Sequence, residues 1–284
     1  MARKTQSKRY PVQRLIAQRQ PAGPPALNAV VDVPGSLSKI NHRLYRQSRY
    51  YEVSVTIDSN VADGTTVDVY ALADTWWTQK SLQLAKKAWD ESNAEEKMML
   101  NGKVARWNDF RVAHDLSGFG SLDPVQFGRV SLGGVPFVAG EFELSRVVDQ
   151  AGVGRVFTWG NATAGSYSIM DEYNATANTS ADPQNPATGA YTGLLPNLET
   201  EAAAALQDDG NLPPYDSNNY GTGQWVKVGT LHLSAGRQRL STGYFCAPCG
   251  MVALTNVGWL VDADIQIEVK AGDYKGVKAP SMLE

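Results

Sequence analysis

The stretch Arg49-Tyr-Tyr-Glu-Val-Ser-Val-Thr-Ile-Asp58 alternates apolar with mostly polar side chains. In an extended chain successive side chains point to opposite faces, so its apolar positions share one face. These positions are Tyr51, Val53, Val55 and Ile57. The alternation predicts a β-strand with one face in a hydrophobic core. Thr66–Asp74 continues the pattern after a turn-forming cluster at 60–64, although its second face is only partly polar.

The same period of two recurs along the chain and predicts a series of short strands. The further candidates are Arg129–Leu132, Glu141–Val148, Arg155–Trp159, Ser166–Asp171, Trp225–Ser234, Gly243–Ala247, Met251–Asn256 and Val261–Lys270. Glycine-rich breaks separate them, and the regular strand–helix alternation that is typical of parallel sheets is missing from the sequence. We therefore predict an all-β fold, an antiparallel sandwich that forms one domain over 37–284.

Two segments have helical rather than strand character. Asp74–Leu100 spaces its apolar residues as a helix does, with Asp74 as the expected N-terminal cap and Gly102 as the expected end. We expect this inserted helix to pack one side on the sandwich (Leu82, Ala85 and Trp89) and to expose the other (Lys80, Lys87 and Glu91). A weaker helix is predicted at Leu198–Leu206, inside a long surface loop at 174–219 that is rich in Asn, Pro and Gly.

Charge is divided unequally between the two ends of the chain. Residues 1–50 carry ten Lys or Arg against Asp32 alone, a net charge of +9, whereas the remaining residues carry −12, in line with the total of −3. Residues 1–36 also contain five prolines and few large apolar side chains, so we predict a basic N-terminal arm there. A basic arm on an acidic body indicates a polyanionic partner for the arm.

Motifs of catalysis, cofactor binding and membrane insertion are missing from the sequence. It holds no GxSxG, HExxH, GxxxxGK[ST] or strand-linked GxGxxG motif, and no apolar run long enough to cross a membrane. The two cysteines form Cys246-Ala-Pro-Cys249 on a predicted strand–turn–strand, which favours structural thiols over half of a zinc site or a redox pair. We predict a protein that is not an enzyme and has neither cofactor nor metal.

Three runs of residues carry a family resemblance. They are Leu37-Ser-Lys-Ile-Asn-His-Arg-Leu-Tyr-Arg-Gln-Ser-Arg-Tyr-Tyr51, Val67-Asp-Val-Tyr-Ala-Leu-Ala-Asp-Thr-Trp76 and Ala105-Arg-Trp-Asn-Asp-Phe-Arg-Val112. With the basic arm before them and a β-rich remainder after them, they resemble the capsid proteins of small circular Rep-encoding single-stranded DNA viruses. The resemblance implies a single jelly roll of eight strands in two sheets. It also implies a many-copy icosahedral shell, a virion location, and assembly in the host nucleus or cytoplasm.

The residues predicted to bind nucleic acid are the basic ones of the first fifty positions. They are Arg3, Lys4, Lys8, Arg9, Arg14, Arg19, Lys39, Arg43, Arg46 and Arg49. The last three alternate with tyrosines at 45, 50 and 51, which offers both phosphate contact and base stacking, although a basic strand start that pairs with the acidic body is an alternative. Two other functions stay open: a small RNA-virus coat protein, and a non-viral jelly-roll binding module with a nucleic-acid-binding tail.

Overall fold

The structure is a computed structural model of the 284-residue chain. It describes residues 11–20, 29–61, 65–99, 107–113, 125–126, 135–136, 143–149, 151–160, 162, 164–178, 225–255 and 263–284. The strands are β1 Leu15–Gln20, β2 Ala29–Asp32, β3 Tyr50–Val61, β4 Thr65–Leu72, β5 Val125–Gln126, β6 Val135–Pro136, β7 Arg146–Val148, β8 Gly154–Thr158, β9 Ser166–Ser168, β10 Trp225–Leu233, β11 Gly236–Pro248, β12 Met251–Thr255 and β13 Ala263–Val269. The helices are α1 Val33–Asn41, α2 Trp76–Ser92, α3 Ala94–Met99 and α4 Ile169–Asn178.

Two sheets form the body of the fold. The first has the order β1-β13-β3-β11, and the second has the order β10-β4-β12-β2 and continues into the two-residue strands β5 and β6. Four antiparallel pairs are nested within one another: β1 with β13, β2 with β12, β3 with β11, and β4 with β10. The first four strands therefore pair, in reverse order, with the last four. The chain between the innermost partners, β4 and β10, forms an insertion that holds α2, α4 and the small sheet β7-β8-β9.

A single hydrophobic cluster joins the two sheets. It takes Val53, Val55 and Ile57 from β3, and their neighbours from β13, on one side. On the other side it takes Val67 and Val69 from β4 and its neighbours in the second sheet. All these side chains are buried, so the alternation at 49–58 correctly predicts which face of β3 enters the core.

The second sheet is covered on its outer face as well. A second cluster joins Leu72, Met251 and Ala253 of this sheet to Leu82 and Ala85 of α2, and also takes in Phe157 and Ile169 of the insertion. The second face of β4 is thus partly covered, with Leu72 buried and Tyr70 packed against this cluster, which explains why that face is only partly polar in sequence. The exposed side of α2 carries Lys80, Lys87 and Glu91, as the helical spacing predicts.

The predicted boundary of the basic arm at residue 36 is wrong. Within 1–36 the chain forms β1, β2 and the start of α1, and β1 pairs with β13 over six residues, from Leu15↔Glu268 to Gln20↔Ala263. Ile16, Val30 and Val31 are fully buried. The hydrogen bonds between strands join backbone groups and not side chains, so a segment that is poor in apolar residues can still form a strand of the sheet.

Several predicted element boundaries also differ from the observed ones. The helix begins at Trp76 and is capped by Thr75, whose Oγ1 accepts a hydrogen bond from the Thr78 amide at 3.3 Å, instead of by Asp74. The segment 166–171 is a strand only at Ser166–Ser168, since α4 begins at Ile169. The described part of 141–148, namely 143–148, is a strand at Arg146–Val148.

The other predicted strands fall into two groups. Those at 49–58, 66–74, 155–159, 225–234, 243–247, 251–256 and 261–270 are confirmed over the residues that the structure describes, with small shifts at some ends and the fifth as part of the longer β11. The segments 129–132 and 198–206, the expected helix end at Gly102 and the part of 174–219 beyond Asn178 lie outside the described residues; 174–178 belongs to α4 and not to a loop. In the part of the chain that the structure describes, no helix combines the length and apolarity needed to span a membrane.

Replacing Trp89 by alanine tests the packing of α2 on the second sheet. The Trp89 ring is partly buried in the second cluster, with its centroid 5.6 Å from that of Phe110. We expect Trp89→Ala to lower the free energy of unfolding by about 3 kcal/mol, measured by chemical denaturation. The control is Lys87→Glu on the exposed side of the same helix, which should change it by less than about 0.5 kcal/mol. Equal stability of Trp89→Ala and the parent chain would contradict this packing.

Candidate nucleic-acid interface

The structure brings together only part of the predicted nucleic-acid-binding set. Arg3, Lys4, Lys8 and Arg9 lie outside the described residues. Arg14 immediately precedes β1, and Arg19 lies within β1 opposite Asp264. Lys39 is exposed in the last turn of α1. The other three predicted residues, Arg43, Arg46 and Arg49, lie in the segment 42–49 that joins α1 to β3.

The N-terminal residues join the sandwich next to this segment. The Gln13 amide donates to Asn41 Oδ1 at 2.9 Å, and Asn41 Nδ2 donates back to the Gln13 carbonyl at 2.9 Å. Val12 contacts Gly276 so closely that a Cβ added to this glycine would lie 2.8 Å from Val12 Cγ2. The described chain therefore enters the fold, at Val12 and Gln13, at the end that holds Arg43, Arg46 and Arg49.

A lysine near the C-terminus completes what we call the cationic cluster, namely Arg43, Arg46, Arg49 and Lys275. The Lys275 amine donates to the Leu44 carbonyl and lies 5.2 Å from the centroid of the Tyr274 ring. Burial, and after it the positive charges of the three arginines, lowers the pKa of this amine. Sequence reasoning missed Lys275 because 226 positions separate it from Arg49; the basic run Lys270, Lys275 and Lys278 was the available signal.

The members of the cationic cluster differ in how they are engaged. Arg49 is held within the chain, since its Nη1 donates to the Ala279 carbonyl at 2.7 Å and its guanidinium carbon lies 3.6 Å from the centroid of the Tyr274 ring. Arg43 is exposed, and the side chain of Arg46 is half exposed. The two exposed arginines are the better placed of the three to meet a ligand from solution.

Base stacking on the interleaved tyrosines, which the sequence suggests, is contradicted for two of them. Tyr45 and Tyr51 are fully buried, and their hydroxyls donate to the carbonyls of Lys275 at 3.0 Å and Arg46 at 2.7 Å. Burial raises the pKa of both phenols. Their rings pack in the core and their hydroxyls donate to backbone carbonyls, so the two tyrosines hold the segment 42–49 to the core.

A buried acid lies beneath the cationic cluster. Asp109 Oδ2 accepts a hydrogen bond from the Gln47 amide at 3.0 Å, and its Oδ1 lies 4.0 Å from Arg46 Nη1. Burial raises the pKa of Asp109 to about 6, although the Gln47 amide and Arg46 act against this rise. Gln47 also bonds both backbone groups of Val112, with Oε1 accepting from the amide at 2.7 Å and Nε2 donating to the carbonyl at 3.3 Å. The run 109–112 therefore braces the segment 42–49.

The cysteine pair has the environment of structural thiols. Burial raises the pKa of Cys246 to about 12 and that of the fully buried Cys249 further, so both are protonated at neutral pH. Cys249 Sγ lies 3.8 Å from Met282 Sδ. Over the described ranges of the chain, no group of three or more His, Cys, Asp or Glu side chains is arranged to hold a metal ion.

Comparisons with protein-family models, with curated proteins and with solved structures find no match to this chain.

The raised pKa of Asp109 makes a testable contribution to the pH dependence of stability. Its folded-state pKa, about 6, exceeds the reference value of 3.8. The folded state therefore binds the proton more tightly, so the stabilisation is complete below about pH 4 and is lost as the pH rises through 6. The loss by pH 7 is about 3 kcal/mol in the free energy of unfolding. Asp109→Asn, which carries no charge at any pH, should lack this component.

Chemical denaturation between pH 4 and pH 7 measures the effect. The stability of Asp109→Asn relative to the parent chain should increase with pH over this range. Asp273→Asn, which removes an exposed carboxylate from a neighbouring turn, is the control and should show a much smaller trend. A stability difference between Asp109→Asn and the parent chain that stays constant with pH would show that Asp109 is not the buried, proton-binding group described here.

Proposed function

We propose that this chain is a viral capsid subunit that self-assembles into an icosahedral shell and packages single-stranded DNA. The observation that carries the proposal is the meeting, at one end of the sandwich, of the segment 42–49, the turn that holds Lys275 and the chain that follows the basic residues of 1–10. The N-terminal residues enter the fold there, through the contacts of Gln13 with Asn41 and of Val12 with Gly276. The segment 42–49 and the turn that holds Lys275 lie beside them.

The strand order supports a jelly roll as the finer description of the fold. In a jelly roll one long antiparallel hairpin is rolled up, so that its nested strand pairs are divided between two facing sheets. The four nested pairs of this chain alternate between the sheets in that way: β1–β13 and β3–β11 lie in the first sheet, and β2–β12 and β4–β10 in the second. Capsid and lectin domains both use this architecture, so the fold alone does not select the function.

The distribution of charge favours a packaging role. The basic residues that meet at one end of the sandwich are opposed by an acidic remainder, and a phosphate backbone is attracted to such an end without being read for sequence. A shell protein needs this kind of contact, because it meets every stretch of the genome that it encloses. Within this proposal the chain is not an enzyme, and its partners are copies of itself and the packaged strand in the virion.

An exposed aromatic residue fits the contacts between copies that a shell requires. Of the three tryptophans that the sequence suggests as interface anchors, Trp225 is buried and Trp77 packs against the second cluster. Trp76 is 59% exposed at the start of α2, and its ring centroid lies 6.3 Å from that of Tyr173 in α4. Aromatic residues are enriched in protein interfaces.

Neutralising the four basic residues of 1–10, the part of the predicted arm that precedes the described chain, tests the packaging role of the arm. The variant Arg3→Gln, Lys4→Gln, Lys8→Gln, Arg9→Gln keeps the chain length and leaves Val12 and β1 unchanged, whereas a deletion to residue 20 would remove β1 itself. Particles of this variant should contain less nucleic acid, measured by the ratio of absorbance at 260 and 280 nm. The salt dependence of single-strand binding should fall by about 3 in log–log slope, since each lost phosphate contact removes about 0.7.

The matched control exchanges the same four residues between Arg and Lys and preserves the charge, so the nucleic acid content should stay at the parent level. Unchanged content in the neutral variant would refute a packaging role for the arm. Digestion of the extracted polymer by DNase or by RNase separates a single-stranded DNA capsid from an RNA-virus coat protein. A non-viral binding module would sediment as a small species and form no closed particles.

A further inference from the structure

The C-terminal hairpin places a lysine where the backbone favours other residues. The Tyr274 amide donates to the Val277 carbonyl at 3.0 Å, and the Val277 amide donates to the Tyr274 carbonyl at 2.9 Å, so Lys275 and Gly276 form a two-residue turn. Both have positive φ, 51° at Lys275 and 91° at Gly276. A turn of this kind favours Asn, Asp or Gly at its first position, and a lysine there is strained. Such strain in a native structure points to a role for the side chain.

The amine of Lys275 also lies among like charges. It donates to the Leu44 carbonyl and lies over two aromatic rings, 5.2 Å from the Tyr274 centroid and 5.9 Å from the Tyr45 centroid, and both kinds of contact stabilise a cation. The arginines of the cationic cluster repel it. Asp109, the acid beneath the cluster, is buried and already accepts a hydrogen bond from the Gln47 amide, so it neutralises only part of the positive charge of the cluster. An anion from solution would relieve the repulsion.

We propose that Lys275, with Arg43 and Arg46, forms a phosphate-binding site for single-stranded nucleic acid on the folded body of the protein. This site deepens the proposed function and rests on it. It is distinct from the arm, because its three side chains belong to the segment 42–49 and to the C-terminal turn. Arg49 positions the site without being counted as a ligand, since it is bound to the Ala279 carbonyl and packed on the Tyr274 ring.

The variant Lys275→Asn separates a binding role from a structural one. Asparagine tolerates positive φ and removes the charge, so the melting temperature should stay at or above that of the parent chain. Binding of a thymidine oligonucleotide to the full-length chain should weaken about five-fold at 0.1 M salt, and the log–log salt slope should fall by about 0.7, the share of one phosphate contact. Lys275→Arg keeps the charge and should retain most of the parent affinity.

Two further variants make the test specific. Arg43→Gln removes an exposed cation of the same site and should give a comparable loss of affinity and slope, so the site remains testable if Lys275→Asn lowers the melting temperature. Arg239→Gln is the control. Arg239 pairs with Asp58, which lies eight residues along β3 from Tyr50, so it is roughly 27 Å from the end of the sandwich that holds the cationic cluster. It should leave the salt slope unchanged.

Parent-like affinity and salt slope in both Lys275→Asn and Arg43→Gln would overturn the proposed site. An equal loss in Arg239→Gln would overturn it too, because the effect would then reflect net charge alone. The binding assay does not require assembly, so it separates this site from the capsid function. A chain that forms particles but binds normally without Lys275 contradicts the site alone, whereas a chain that needs Lys275 yet never assembles contradicts the capsid function alone.

Discussion

The pairing of the first strand of the sandwich with the last is the constraint on which the rest of the structure depends. Strand β1 runs antiparallel to β13 over six residue pairs, and the Val269 amide extends the ladder to the Arg14 carbonyl at 3.0 Å. This is the outermost of four nested pairs, so it fixes the first and the last strand of the sandwich side by side. The insertion between β4 and β10 can then vary in length without disturbing the nested pairs, because the chain leaves the sandwich after β4 and returns at β10, its neighbour in the second sheet.

The same constraint explains how residues that are distant in sequence form the cationic cluster. With β1 and β13 paired, the chain before β1 and the turn after β13 lie at one end of the first sheet, and the segment 42–49 enters β3 at that end. Buried tyrosine hydroxyls, Gln47 and the Arg111–Asp32 ion pair then hold the surrounding segments in place. Because Arg111 and Asp32 are buried, removing either one would lower the free energy of unfolding far more than the loss of a surface ion pair does.

The sequence predicts those parts of the fold in which one period dominates. Strand β3 and helix α2 are predicted correctly because each buries a single face. That face requires apolar residues at alternate positions in β3 and at helical spacing in α2. Strand β1 is missed because, of Leu15, Ile16 and Ala17, whose burial the structure describes, only Ile16 is fully buried, and the backbone hydrogen bonds that hold the strand leave no trace in composition. The candidate site is half predicted: Arg43 and Arg46 belong to a local basic run, whereas Lys275 joins them only through the pairing of the chain ends.

Ultraviolet cross-linking of a thymidine oligonucleotide to the purified full-length chain, followed by mass spectrometry of the peptides, tests the central claim most directly. That claim is that one end of the sandwich, where the arm joins it, is the nucleic-acid interface. The account predicts cross-links in peptides from 1–14, 42–50 and 270–278. Cross-links concentrated on the exposed side of α2, or on the part of β11 that carries Arg237 and Arg239, would contradict it.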